Sequence, residues 1–345
     1  MAPLPQERTT PAMPFELCAT DLTGPILIKL HKNTTETIKA YIVLFTCLTS
    51  RAIHLEVAPS LSADDFLQAF KRFINRRGPV KVMYSDNGTN LKRTSKDLIN
   101  IYRTLNDKGY ALAPLTWKFS NVLSPWEGGV WERLMRSIKE PLRKIMGRAS
   151  LTYPEFYTLL TDVENMINQR PLTPRSESVD SEEPITPAHL LIGRPLKSIP
   201  VVFSDIPEIP ESAPADDILQ KWKHREMITK HFWDRWVKGY LVTLNERAKW
   251  LHPQDFNEDQ IVLLQEDNKN KGLWPLAKII KVTKGRDGLV RSVQVRTPKG
   301  KVLTRPVQKI CKLECEKESL TSLTDDSIQH GSLKSPEEKA DDATI

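Results

Sequence analysis

Apolar, β-branched runs broken by turn residues fill the first sixty positions: FELCATDL (15–22), PILIKL (25–30), IKAYIVLFTCL (38–48) and AIHLEV (52–57). Their length and composition predict consecutive strands. The period then changes. In LSADDFLQAFKRFINRRG (61–78), Phe66, Ala69, Phe70, Phe73 and Ile74 fall on one helical face, with Ser62 placed to cap the start and Gly78 to stop it. VKVMYSD (80–86) returns to a strand and runs into the turn residues NGTN. A polar helix over about 94–108 and a strand LTWKFS (115–120) follow. Four or five strands, then helix, strand, helix, strand and helix, predict an α/β domain with a mixed sheet.

From Val130 onward, Leu134, Ile138, Leu142 and Ile145 share a helical face, with a kink expected at Pro141. PEFYTLLTDVENMINQR (154–170) predicts a further helix beside it. Residues 171–214 hold nine prolines and read as a meandering connector. ADDILQKWKHREMITKHFWDRWVKGYLVTL (215–244) predicts a long helix carrying Leu219, Trp222, Phe232, Trp233 and Trp236. QIVLLQ, LWPLAKIIKVT, VRSVQVRT, KVLTRPV and KICKLE then alternate with the turns KGRDG and TPKG, as in a small all-β barrel. The expected organisation is an extended lead-in (1–13), an α/β core (14–170), the connector (171–214), a basic-aromatic linker helix region (215–256), a barrel (257–315) and a disordered acidic tail (316–345).

Charge adds one fact to this picture. The formal net charge is +7, while residues 316–345 carry eight acids and three bases, so the rest of the chain is near +12. A basic body favours a polyanionic partner. No apolar run approaches the roughly 18 residues of a membrane span, the longest being AYIVLFTCL (40–48), so no membrane partner is expected. The opening MAPLPQERTTPAMPFEL lacks the layout of a secretory signal. Of the four cysteines, Cys311 and Cys315 lie four apart with no second Cys/His pair at zinc spacing, which points to a reduced, intracellular protein.

Three acids stand out for chemistry. Two-metal phosphoryl transfer needs carboxylates that converge from different elements on ions about 3.5–4 Å apart. Asp21 closes the first strand in CATDLTGPI, Asp86 closes VMYSD, and Glu132 lies in the first turns of the helix in SPWEGGVWERLMRSIK. Each also has an ordinary explanation: an Asx turn at Asp21, turn chemistry in SDNG, and the helix macrodipole for Glu132. Ser124 and Glu127 fit a capping box. However, Gly128 and Gly129 are poor helix interior, so the helix is expected to begin near Val130, which puts Glu132 on the ordered helix and Glu127 before it. Arg136, Lys139 and Arg143 follow Glu132 on its helix face, either as a solvated charged stripe or as contacts to DNA phosphates. Lys71, Arg72, Arg76 and Arg77 read as the wet side of a helix. His224 and His231 have no partner at metal-ligand spacing, and Trp222, Trp233 and Trp236 read more readily as core than as base-stacking platforms.

DLTGPI, SDNGTN and GGVWERLMRSIK in this order resemble the D,D-E signature of retroviral-type integrases, with their RNase H-like core. With 45 residues between Asp86 and Glu132, and with MAPLPQER, NQRPLTP, PITPAHLLIGRPL and WPLAKIIKVTKGRDGLVRSVQVRTPKG, the chain is most similar to integrases of BEL/Pao-type retrotransposons over about residues 1–314. The resemblance implies a mixed sheet flanked by helices with a small SH3-like barrel behind it. It also implies two Mg²⁺ or Mn²⁺ ions held by Asp21, Asp86 and Glu132, and 3′-end processing followed by strand transfer. Element ends and target DNA would be the partners, in a homo-oligomer, with nuclear action. Lys278, Lys281, Lys284, Arg286, Arg291 and Arg296 would give that barrel a basic face for DNA or chromatin. The amino-terminal His-His-Cys-Cys zinc module of the family does not precede Asp21 in this chain, which leaves two alternatives standing: a non-catalytic DNA-binding relative and a metal-dependent nuclease.

Overall fold

The computed structural model describes residues 11–31, 34–108, 115–119, 129–146, 151–175, 183–196, 218–244, 256–265, 274–285 and 290–314. The first sheet has the order β3-β2-β1-β4-β5. Its strands are β1 (Leu17–Lys29), β2 (Thr37–Cys47), β3 (Ile53–Ala58), β4 (Val82–Ser85) and β5 (Thr116–Phe119). β1, β2 and β3 pair antiparallel, whereas β4 and β5 run parallel to β1. This is a mixed sheet of RNase H-like order.

One long β1 replaces the two strands expected over 15–22 and 25–30. Pairing with β2 continues past Gly24–Pro25, with a register shift between Thr23 and Ile26. Proline has no N–H to give the ladder, so the strand bulges there instead of ending. At Gly24 (φ +156°) an added Cβ would lie 2.5 Å from the Tyr41 ring, so the strands close up only around glycine.

Helix α1 (Ala63–Arg77) is capped as its sequence requires: Asp65 N donates to Ser62 Oγ at 3.1 Å, and Gly78 N to Ile74 O at 2.9 Å. Helix α2 (Thr89–Asp107) begins about five residues earlier than expected, because Gly88 N donates to Asp86 Oδ1 and the turn is complete within Asp86–Gly88. Helix α3 (Gly129–Met146) runs through Pro141, and α4 (Tyr153–Asn168) follows it.

The sheet buries both faces. Phe66, Phe70 and Phe73 of α1 and Leu91 and Leu98 of α2 cover Cys18, Val43, Phe45 and Met83, with Phe45 stacked on Phe73 at 4.0 Å. Leu134, Ile138 and Leu142 of α3, with Phe156, Leu160 and Val163 of α4, cover Ile26, Ile28, Ile42, Leu44, Leu55 and Val57.

After the short α5 (Pro187–Ile192) comes α6 (Ile218–Leu244), whose Phe232, Trp233 and Trp236 are core, while Trp222 is 39% exposed. A second, antiparallel sheet follows in the order β10-β6-β7-β8-β9. Its strands are β6 (Ile261–Leu264), β7 (Leu276–Lys284), β8 (Val290–Arg296), β9 (Val302–Pro306) and β10 (Ile310–Cys311). This C-terminal half-barrel closes over Val262, Leu264, Ala277, Ile279, Val293, Val295 and Ile310. No helix among the described residues is long and apolar enough to cross a membrane.

Candidate active site at the sheet edge

The register of β1 and β4 places the two aspartates. Leu17, Cys18 and Ala19 pair with Val82, Met83 and Tyr84. The ladder ends at that pair, with Asp21 two residues further along β1 and Asp86 two residues beyond Tyr84 in the same chain direction. Asp86 directly follows the last residue of β4.

Both lie on one face. Asp21 pairs with Leu44, whose side chain belongs to the core under α3 and α4. Leu17 and Ala19 on β1 pack with Val82 and Tyr84 on β4, at the two-residue spacing that also holds Asp21 in line with Leu17 and Ala19. Leu22 N donates to Asp21 Oδ1 at 2.7 Å, and Gly88 N to Asp86 Oδ1 at 3.0 Å. Behind Asp86, the Ser85 hydroxyl donates to the Asp86 carbonyl at 3.0 Å and receives the Trp117 indole N–H at 2.9 Å. The strand end is therefore held from beneath while its carboxylate is exposed.

Helix α3 packs over β1 on this same face and carries Glu132 in its first turns. The Glu132 side chain and the whole of Glu127 lie outside the described residues, as does the choice between them. Among the described residues no three metal-ligating side chains converge. Arg136, Lys139 and Arg143 are all exposed, on the side of α3 opposite buried Ile138 and Leu142, and no described residue pairs with them.

The cations of α1 behave otherwise than their sequence suggested. Arg72 Nε and Arg76 Nη1 lie 2.7 and 3.0 Å from the carboxylate of Glu56, which is fully buried on β3. Arg77 pairs with Glu164 of α4. His54 sits between both acids, with Nε2 3.1 Å from Glu56 and Nδ1 3.3 Å from Glu164. Burial works against charge on Glu56 and Glu164, yet hydrogen bonds from His54 and the guanidinium groups hold both carboxyls below their usual range. Glu56, in the run AIHLEV, is the one acid in an otherwise apolar strand pattern; that was the available signal for a buried ion cluster.

Comparisons with known proteins divide along the chain. Residues 220–313, which span α6 and the C-terminal sheet, match DUF5641, a family of unknown function. No curated protein matches the chain. A solved simian T-cell lymphotropic virus intasome in complex with the PP2A regulatory subunit B56 gamma is 11% identical, with 88% of this chain and 80% of that one covered and a TM-score of 0.37. The HTLV-2 integrase catalytic core domain in complex with magnesium is 16% identical over 52% of this chain and 97% of its own, with a TM-score of 0.35. The BIV integrase catalytic core domain is 20% identical over 52% and 95%, with a TM-score of 0.34. Likenesses at this level carry no functional argument.

Proposed function

We propose that this chain is a metal-dependent polynucleotidyl transferase of the retroviral-integrase type, most similar to those of BEL/Pao-type retrotransposons. The observation that supports it is the parallel pairing of β1, which carries Asp21, with β4, which leads into Asp86, beneath the helix α3 that carries Glu132. Asp21 lies inside the fused β1 rather than at its end as the sequence suggested; with Asp86 just after β4 and Glu132 near a helix start it would make a hard oxygen donor set, which suits Mg²⁺ or Mn²⁺. One oxygen of each aspartate is already oriented by a local backbone N–H, the arrangement that lets a ligand be held without large rearrangement. Asp21, Asp86 and Glu132 would hold two such ions. Divalent ions bound there supply activation of the attacking oxygen and neutralisation of charge on the phosphoryl group.

The protein's own part is positioning. Water attacks a phosphodiester near a DNA end, and the freed 3′-hydroxyl then attacks a phosphodiester of target DNA; neither step needs a covalent enzyme intermediate. Arg136, Lys139 and Arg143, exposed along the stripe that Glu132 begins, would take the phosphates beside the reacting bond. On this reading the protein works on DNA as a homo-oligomer in the nucleus.

The test is a strand-joining assay on the purified chain with branched DNA and Mg²⁺ or Mn²⁺, comparing wild type with Glu132→Gln. Metal-dependent joining that drops at least about a thousandfold in the variant is expected, the scale on which a metal-site catalyst is lost. Cleavage without joining would replace the transferase by a nuclease. Salt-sensitive DNA binding with no reaction in either protein would leave a DNA-binding relative that has kept the fold.

A further inference from the structure

The C-terminal end of α4 is completed by side chains from the far end of the chain. A helix terminus leaves its last carbonyls without internal partners. Here Trp274 Nε1, at the entry to β7, donates to Gln169 O at 3.0 Å. The Tyr240 hydroxyl of α6 lies 3.3 Å from Pro171 O. Arg170, with no exposed surface, sends Nη1 to Ile167 O at 3.1 Å and Nη2 to Arg51 O at 2.7 Å. Its Nε meets Glu314 Oε2 at 3.0 Å. Glu314 follows β10, and its other oxygen takes Arg51 Nη2 at 2.6 Å. The Tyr240 hydroxyl also lies 3.0 Å from Glu314 Oε2. One carboxylate from the end of the C-terminal sheet thus faces two arginines of the first sheet's body and a tyrosine of α6.

Apolar packing reinforces the same junction. Trp233, Trp236, Tyr240 and Trp274 pack ring against ring, with Trp236 stacked on Tyr240 at 4.7 Å, in one continuous core with Leu134, Ile138 and Phe156. Leu263, Leu276 and Leu313 of the C-terminal half-barrel belong to it too. A module that came and went on a tether would each time take Glu314, the carboxylate shared by Arg51 and Arg170, and expose this aromatic core to water.

We infer that α6 and the C-terminal sheet are a fixed arm of the first sheet's body, locked through Glu314 onto Arg51 and Arg170, so that any ligand of the C-terminal sheet is held at a set place relative to Asp21 and Asp86. This goes beyond the proposed chemistry and stands or falls without it. Hydrogen–deuterium exchange of the full chain reads it directly, because segments that open together share one opening free energy. In wild type the most protected amides of the β7–β8 and β2–β3 ladders are expected to exchange with the same opening constant. In Glu314→Gln the β7–β8 amides should exchange about ten- to a hundredfold faster with β2–β3 unchanged, the size of losing one or two charge-assisted hydrogen bonds. If Glu314→Gln does not fold, Tyr240→Phe removes a single hydroxyl and should give the same selective change at about two- to tenfold. Ladders that already open independently in wild type would overturn the lock. So would variants that leave exchange unchanged or accelerate both ladders equally.

Discussion

The first sheet treats its two margins in opposite ways. Along the outer edge of β3, side chains close the backbone: Asn168 takes Ile53 N at 2.8 Å and gives its amide to Ile53 O at 2.9 Å. Glu164 takes Leu55 N at 2.9 Å, and Arg72 gives to Val57 O at 2.7 Å. An open edge is a template for stray pairing, and here α1 and α4 reach round from the two faces to cover it. Just past the end of β4 a carboxylate is left outside any such closure. Asp86 is exposed and, among the described residues, faces no cation; its side chain is steadied by a backbone amide alone. Charge at β3 is consumed by the fold, whereas the Asp86 carboxylate is exposed to solvent.

Stability measurements separate these roles. Glu56 is fully buried against Arg72, Arg76 and His54, so Glu56→Ala should cost about 3 kcal/mol in denaturant unfolding, since it strands buried polar partners, less what Arg72 and Arg76 recover by reaching water. Asp86→Asn should stay within about 1 kcal/mol of wild type while abolishing strand joining. Equal losses of stability in the two variants would erase the distinction between the margins.

β1 also has a structural demand of its own, three residues past Asp21. Gly24→Ala would put a methyl 2.5 Å from Tyr41 Cδ1 and 3.1 Å from Ala40 O, at a φ that favours glycine, and should cost about 2 kcal/mol. Gly300 has φ +75° but nothing within 4 Å of its Cβ position, so Gly300→Ala should cost about 1 kcal/mol, from backbone strain alone. Thermal melts of the two variants check the order. If Gly300→Ala proves the more damaging, the close approach of β1 and β2 at the bulge is not what Gly24 serves.

Much of this was readable before any coordinates, because it is local. Periodicity located all five strands of the C-terminal sheet and the aromatic core face of α6, and Ser62 and Gly78 cap α1 as read. What the pattern lacked was register and distance. Asp21 and Asp86 could be ordered along the chain, but only the pairing of Ala19 with Tyr84 sets their strands side by side. The strands at 15–22 and 25–30 fused because a bulge carries the ladder across Pro25, which a proline in sequence does not announce. Arg72, Arg76 and Arg77 have the spacing of a solvated face, and their partners on β3 and α4 lie 16 to 87 residues away. Arg170 and Glu314, 144 residues apart, are beyond any local rule.

The smallest effect belongs to His54, and it tests how fully the β3 margin is sealed. Burial opposes its charge, but hydrogen bonds to Glu164 and Glu56 outweigh burial and the nearby Arg77, so its pKa is raised. The groups facing it are Glu56 from β3, Glu164 from α4 and Arg77 from α1, with Arg72 and Arg76 held on the far side of Glu56. A raised folded-state pKa adds stability that is complete below the unfolded value near 6.5 and is lost as pH rises through the folded one. Wild type should therefore lose melting temperature as pH climbs from about 6 into the alkaline range, and His54→Asn should flatten that slope. The acids pull the other way: Glu56 and Glu164, held low, give stability that disappears only as pH falls through their folded values, well below this window. A variant with the wild-type slope would mean that His54 stays neutral, its Nδ1 accepting from Arg77 Nε at 3.3 Å instead of donating to Glu164.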